Sequence, residues 1–449
     1  MRTDLRLALL LTSGSDRREW WRVTLTAVGA ALATALCLAT VAVASLQGRY
    51  HLRLASGLLD QPGERAGVVL TLLLLLVPVL GFLGQCARIG AVHRDRRLAG
   101  LRLAGASPAQ VRRIAALEAG LACLIGSAVA TLVCTGVLLR RWQNPPAAVW
   151  AGCAGVALAV PVVGVLVSTF ALRRVVASPL GRVRRVRRVR PSGGRGPGLA
   201  VLAAALVMLL TGFAIAPRRF GGFDTAPVPV FTVVILTGLG AIWAVGASAR
   251  LTGRLLAGRT QNPATLIAAE RLRDDPWAGA RTHAAVLLVT VVGTGFVGVR
   301  QVLLDDLTGR DRASFPSDLS FYTTGVDLMG AAILVALAIT LSGLAVGTAE
   351  SLATRRRGLA AQAAAGVPRA VLGRALLLET ALPLAPAVAL AGAGGLGIGV
   401  WYGQLAGGGT VPVLPVLVPV AVYAACLLAA ATSLPLLRRS VLPAELRHL

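Results

Sequence analysis

Residues 67–80 read GVVLTLLLLLVPVL, a run without a single charged side chain. The apolar character continues on both sides, over approximately residues 66–91. A helix that crosses a bilayer needs about 20 mostly apolar residues, whereas a spanning β-strand needs about ten with alternating polarity. The continuous run therefore predicts a membrane-spanning α-helix.

The same pattern recurs along the chain, and ten such runs predict an all-α polytopic membrane protein with ten transmembrane helices. They cover approximately residues 23–47, 66–91, 114–139, 147–171, 198–216, 228–248, 282–300, 326–348, 375–400 and 412–437.

Composition supports this class. Of the 449 residues, 56% are hydrophobic and 14% charged, and the mean hydropathy is +0.74. A soluble enzyme carries about 25% charged residues, and a disordered chain is polar, so both classes are excluded. The net charge of +26 suggests nucleic-acid binding, but aromatic residues for base stacking are only 4%, so no nucleic-acid partner is expected.

The arginines predict the orientation. If the N-terminus is cytoplasmic and ten helices alternate, 35 of the 45 arginines fall in cytoplasmic segments. Because cytoplasmic loops are enriched in basic residues, both termini are predicted to be cytoplasmic. The lysine-free, Ala- and Gly-rich composition is typical of GC-rich bacteria, so we expect a multi-pass protein of a bacterial plasma membrane.

An internal repeat organises the chain. Seven residues of the first copy recur 261 positions later, from Leu359 to Glu379. They are Leu98, Ala99, Ala104, Gly105, Arg113, Leu117 and Glu118. Arg94 and Arg96 also correspond to Arg355 and Arg357.

The repeat predicts two four-helix units in parallel orientation, separated by a spacer. Residues 1–180 form the first unit, 181–260 a basic linker with two spacer helices, and 261–449 the second unit. An even number of spacer helices keeps both units in the same orientation.

The repeated segment predicts a short cytoplasmic helix followed by a sharp turn into a spanning helix. In the first copy, residues 94–104 form the short helix and Gly105 suits the left-handed position after it. The sequence Ser107-Pro108-Ala109-Gln110 then predicts a capping box. In the second copy Gly366 is followed by Pro368, and no capping side chain is present.

Glu118 and Glu379 lie at equivalent positions, near the cytoplasmic start of their helices. Since carboxylates inside a membrane are costly, they indicate pairing or function. Three interpretations remain open: ion pairs with nearby Arg112, Arg113 and Arg374, a conformational coupling role, or a proton relay. Pro383 and Pro386 predict a kink just after Glu379.

Motifs for catalysis are missing. A GxxxxGK[ST] loop requires lysine, which the chain lacks, so the chain is predicted not to hydrolyse ATP and not to be an enzyme. The six cysteines show no CxxC or Cys/His spacing, so no metal site and no bound cofactor are expected.

These residues resemble the FtsX-like (MacB-type) permeases, the membrane subunits of type VII ABC transporters. The matching signature is a basic stretch followed by Leu101-Arg102-Leu103-Ala104-Gly105-Ala106-Ser107, with Arg113 and Glu118 downstream. The second copy departs from it, with Gln362 in place of Leu101 and Val367-Pro368 in place of Ala106-Ser107.

The resemblance implies a separate ABC ATPase subunit, expected as a dimer, that holds ATP and Mg²⁺. It would dock on two coupling segments, residues 94–105 and 355–366. Its closure would be transmitted through the membrane by mechanotransmission. The residues implied in ATPase coupling are Arg96, Arg97, Leu98, Leu101, Arg102, Gly105, Arg357, Leu359, Gln362 and Gly366.

One departure concerns the substrate. Many family members carry a large extracellular domain, but the loops near residues 48–65 and 301–325 are too short for one. The resemblance implies export or extraction of a hydrophobic, lipid-like or peptide antibiotic substrate, and the short loops favour cargo taken from the lipid bilayer. The alternatives are a non-transporting regulator driven by an ATPase and a secondary transporter, which would need paired charges at the bilayer midplane.

Overall fold

The computed structural model describes residues 17–46, 59, 62–86, 100, 103–141, 145–176, 227–309, 319–406 and 412–440. Within these ranges all regular elements are helices, which confirms an all-α polytopic membrane protein. The helices are α1 (Arg17–Ala44), α2 (Pro62–Cys86), α3 (Pro108–Arg141), α4 (Ala147–Val176), α5 (Pro227–Ala257), α6 (Pro263–Asp274), α7 (Ala278–Gly309), α8 (Leu319–Thr354), α9 (Arg356–Ala364), α10 (Arg369–Leu405), α11 (Leu417–Ala431) and α12 (Leu434–Ser440).

Eight of the predicted spans are confirmed, because eight helical segments of the described chain are long and apolar enough to cross a membrane. The span predicted at 66–91 overlaps α2, although residues 87–91 lie outside the described ranges. The span predicted at 198–216 also lies outside them. A total of ten helices therefore stays a prediction.

Two compact units divide the chain, Met1–Arg190 and Pro191–Leu449. In the first unit α1 packs against α2, α3 and α4. Close approach of α1 and α3 depends on Gly126, where a methyl group would collide with the carbonyl oxygen of Ala27. Helices α3 and α4 are joined by a hydrogen bond from Ser127 Oγ to the carbonyl oxygen of Ala157 (3.1 Å).

Arg65 joins the ends of α1 and α2 in the same unit. Its side chain is buried at the start of α2. Its Nη1 donates to the carbonyl oxygen of Leu46 (2.9 Å) and its Nε to that of Leu59 (2.6 Å). Because a guanidinium is fixed and planar, one side chain satisfies carbonyls from two segments of the connection.

The second unit is built around α5, α7, α8, α10 and α11. Each contributes buried side chains to one apolar core, represented by Val245, Leu287, Leu344, Leu384 and Cys426. Helix α5, which the sequence placed in the spacer, packs here against α6, α7 and α10. The described spacer helix is thus part of the compact second unit.

Helices α7 and α10 lie unusually close together. A methyl group at Gly399 would stand 2.9 Å from the Cα of Gly298, and one at Gly395 would stand 2.6 Å from the carbonyl oxygen of Val291. The spacing Gly395-x-x-x-Gly399 is typical of close helix packing in membranes. The two helices therefore form the tightly packed centre of the second unit.

Candidate functional site

The turn before α3 is built as the sequence predicts. Gly105 has a φ of +93°, in the left-handed region that side chains with a Cβ disfavour. Ser107 Oγ accepts from the backbone N–H of Gln110 (3.2 Å), and Gln110 Oε1 accepts from the N–H of Ser107 (2.8 Å). This reciprocal pair confirms the predicted capping box.

Several first-copy coupling residues lie outside the described ranges, namely Arg96, Arg97, Leu98, Leu101 and Arg102. Leu103, the described residue next to them, is 80% exposed. The coupling role of this segment stays a prediction.

The second coupling segment is described completely. It contains the short helix α9, and Gly366 follows it with a φ of +89°. The N–H of Gly366 donates to the carbonyl of Ala363 (3.0 Å), and the N–H of Val367 donates to that of Gln362 (3.1 Å). These two bonds form a Schellman motif, which ends α9 and turns the chain into α10.

The inner side of α9 is apolar. Leu359 is only 1% exposed and packs with Leu352, Leu372 and Leu437 from α8, α10 and α12. Leu359 is therefore buried within this chain, and its predicted role in ATPase coupling stays a prediction. Its side chain supports α9 from beneath, because the hydrophobic effect draws the single large apolar residue of this helix into the unit.

The outer side of α9 and the start of α10 present a different surface, which we call the docking face. It combines exposed small residues with arginines, and consists of Arg357, Gly358, Ala361, Ala364 and Arg369. Small side chains allow another backbone to approach closely, and arginines favour an acidic partner.

Glu379 lies at the centre of a polar cluster beneath α9. Arg355 Nη1 donates to Glu379 Oε1 (2.7 Å) and to Oε2 (3.0 Å). Arg271 Nη1 donates to Oε2 (3.4 Å), while Arg271 Nη2 donates to Gln362 Oε1 (3.4 Å). The Glu379 side chain is 19% exposed, so solvent weakens these interactions less than at an open surface.

The predicted pairing of Glu379 is confirmed, but its expected partner is corrected. Arg374 was the candidate because it lies about one helical turn away, yet its side chain is exposed on α10. The actual partners, Arg355 and Arg271, come from outside α10. Glu118, the equivalent residue of the first unit, lies on α3 and is more deeply buried than Glu379.

The sequence analysis missed Arg271, which lies on α6. Asn262 and Pro263 were the available signal, since an Asn followed by Pro is typical of a helix start. Asn262 Oδ1 indeed accepts from the N–H of Ala264 (3.0 Å). The start of α6 could therefore be predicted from the sequence. The ion pair could not, because Glu379, the partner of Arg271, lies 108 residues further along the chain.

Comparison with protein families gives one match. Residues 67–180 match the model described as FtsX-like permease C-terminal. The matched range runs from α2 through the first coupling segment to the residues after α4. No curated protein matches the chain. The match supports the FtsX-like resemblance for the first unit and points to the membrane component of a transporter.

Proposed function

We propose that the chain is the permease subunit of an ABC transporter of the MacB type, in the plasma membrane of a bacterium with both termini cytoplasmic. A separate ATPase, acting as a dimer with ATP and Mg²⁺, would supply the energy. The substrate class is hydrophobic, lipid-like or a peptide antibiotic, handled by export or extraction. The family match over residues 67–180 is the observation that carries the proposal.

The geometry of the second unit supports a mechanical role. Helix α9 is short, held from beneath by Leu359 and turned into α10 at Gly366 without a flexible linker. A force on the docking face therefore reaches α10, which extends over 37 residues. A helix of this length spans the bilayer, so the force is carried across it.

In this mechanism, closure of the ATPase dimer moves α9, and α9 moves the cytoplasmic end of α10. The repeat places an equivalent short segment and turn in the first unit, ending at Gly105. Two such segments in one chain match two ATPase subunits. The chain binds the ATPase and transmits its movement through the membrane, while the ATPase hydrolyses ATP.

The decisive experiment is purification of the full chain from its native membrane in mild detergent, followed by mass spectrometry of bound subunits. We expect an ABC ATPase to co-purify. A docking variant, Arg357→Glu with Arg369→Glu, is expected to lower its recovery about tenfold, because two favourable charges become repulsive.

The control is Arg254→Glu with Arg259→Glu, which reverses two exposed arginines elsewhere in the same unit. Its recovery of ATPase is expected to equal that of the wild type. Absence of any ATPase from the wild-type preparation contradicts the proposed function. An ATPase retained by the docking variant keeps the transporter class and removes the docking face from the mechanism.

A further inference from the structure

We infer that Arg271 is a positioning residue that ties the coupling helix α9 and Glu379 of α10 to helix α6, and so holds both in one resting arrangement. The role of Arg271 in transport rests on the proposed function. Its contacts with α9 and α10 lie within this chain and can be tested without a partner. Arg271 lies outside both coupling segments, on α6, and outside the residues that the family match covers.

The first observation is that the Arg271 guanidinium binds two elements at once. One nitrogen contacts Glu379 of α10 and the other contacts Gln362 of α9, each at 3.4 Å. The side chain is 17% exposed. Since the guanidinium is a rigid fork, a movement of α9 away from α10 must break one of the two contacts.

The second observation is that α6 provides a firm base. Its inner face is buried through Ala264, Ala268, Ala269 and Leu272. It lies against α5 so closely that a methyl group at Gly253 would stand 3.0 Å from the carbonyl oxygen of Ala269. Arg271 therefore projects from an element that is packed in place and is not free to follow α9.

The connection after α6 adds to this anchoring. Trp277 covers Gly246 of α5, where a methyl group would stand 2.5 Å from its ring. The guanidinium of Arg250 lies 5.4 Å from the centre of the same ring, within the range of a cation–π contact. The middle of α6 and the connection after it are thus both packed against the long helix α5.

The third observation concerns α10 immediately after Glu379. Pro383 and Pro386 remove two backbone N–H donors from this segment. Neighbouring helices contribute donors here: Ser248 Oγ of α5 donates to the carbonyl of Pro383 (3.1 Å), and the Tyr423 hydroxyl of α11 donates to that of Ala381 (3.3 Å). The backbone hydrogen-bond ladder of α10 therefore lacks two donors in this segment.

These observations combine into one arrangement. The cluster of Arg271, Arg355 and Glu379 sits just before the proline-weakened segment of α10. A displacement of α9 therefore pulls on Glu379, and α10 yields at Pro383 and Pro386 because fewer backbone bonds resist there. Arg271 sets the resting position from which this movement begins.

A second ion pair on the same helix supplies the matched control. Arg273 Nη1 and Glu270 Oε1 are 2.8 Å apart, and their side chains are 49% and 52% exposed. Exposed pairs of this kind contribute little to stability. Arg273→Ala therefore removes the same chemistry from α6 without touching α9 or α10.

The first experiment needs only the full chain, purified in lipid nanodiscs, and measures hydrogen exchange of the amides of residues 356–364. Arg271→Ala is expected to speed exchange about tenfold, since partly buried charged hydrogen bonds are lost. Arg273→Ala is expected to leave the exchange unchanged. Equal exchange in the two variants overturns the inference.

A double-mutant cycle tests whether Arg271 acts through Glu379. Glu379→Gln alone is expected to speed exchange of α9, and adding Arg271→Ala is expected to change it by less than the sum of the two single effects. Fully additive effects contradict the link. Arg271→Lys keeps the charge without the fork, so an exchange rate between those of wild type and Arg271→Ala is expected.

The second experiment uses the complex with the co-purified ATPase. Arg271→Ala is expected to lower the kcat of ATP hydrolysis in the complex about tenfold, with the KM for ATP and the recovery of ATPase unchanged. A loss of binding instead of kcat overturns the positioning role. If the wild type binds no ATPase, the proposed function fails, and the exchange experiment still decides the link.

Discussion

The two coupling turns share a backbone conformation but stabilise the following helix differently. Gly105 and Gly366 have nearly equal φ angles, +93° and +89°. After Gly105, the side chains of Ser107 and Gln110 cap α3. After Gly366, Pro368 is the N-cap residue of α10 and makes no side-chain cap hydrogen bond. The comparison teaches that a repeated turn can be held by local capping in one copy and by tertiary contacts in the other.

The largest expected effect on stability comes from replacing a buried leucine of the second coupling segment, compared with an exposed leucine of the first. Leu359→Ala removes a fully buried side chain and is expected to destabilise the second unit by about 3 kcal/mol, because a cavity remains under α9. Leu103→Ala in the first copy, where the side chain is exposed, is expected to change stability by less than about 0.5 kcal/mol. Thermal unfolding in detergent measures both, and equal shifts contradict the comparison.

A smaller effect is expected from the arginines around Glu379. Arg355→Ala is expected to cost about 1.5 kcal/mol, since Glu379 loses its shortest hydrogen bonds in a partly buried site. Arg374→Ala, which truncates an exposed arginine of α10, is the control and is expected to stay near the wild type. The readout is the shift in apparent Tm, and a larger shift for Arg374→Ala refutes the assigned partner.

Gly105 and Gly366 allow a test of the positive φ that the two turns share. Gly105→Ala and Gly366→Ala are each expected to cost about 1 kcal/mol, because alanine disfavours a positive φ. Apart from the adjacent residues, no heavy atom of the described chain lies within 4 Å of an added methyl group at either site, so the expected cost comes from the backbone conformation. Similar decreases in Tm for the two variants would show that the two turns are equivalent. A decrease for only one variant would show that they are not.

The smallest effect concerns the cap that only the first turn has. Ser107→Ala is expected to cost about 0.5–1 kcal/mol and to speed hydrogen exchange at the start of α3, because an amide loses its acceptor. Pro368→Ala at the second turn removes no side-chain cap, so exchange at the start of α10 is expected to rise less. The opposite order would show that the local cap does not hold α3.

The sequence predicted features that depend on neighbouring residues. Hydropathy runs gave eight spans that the structure confirms, and the identity of Gly105, Ser107 and Gln110 gave the turn and its cap. The spans could be read because a membrane-spanning helix needs one continuous apolar run. The turn and its cap could be read because the interacting groups lie within about one helical turn along the chain. The internal repeat also predicted a second turn of the same kind at Gly366, and the structure has it.

The tertiary structure alone decided which side chains face inward and which charges meet. Leu359 turns away from the surface because side chains of α8, α10 and α12 offer it an apolar pocket. Glu379 binds Arg355 and Arg271, which are 24 and 108 residues distant, and not the nearby Arg374. Such contacts follow from how separate helices pack, and packing energies depend on the whole unit and not on local spacing.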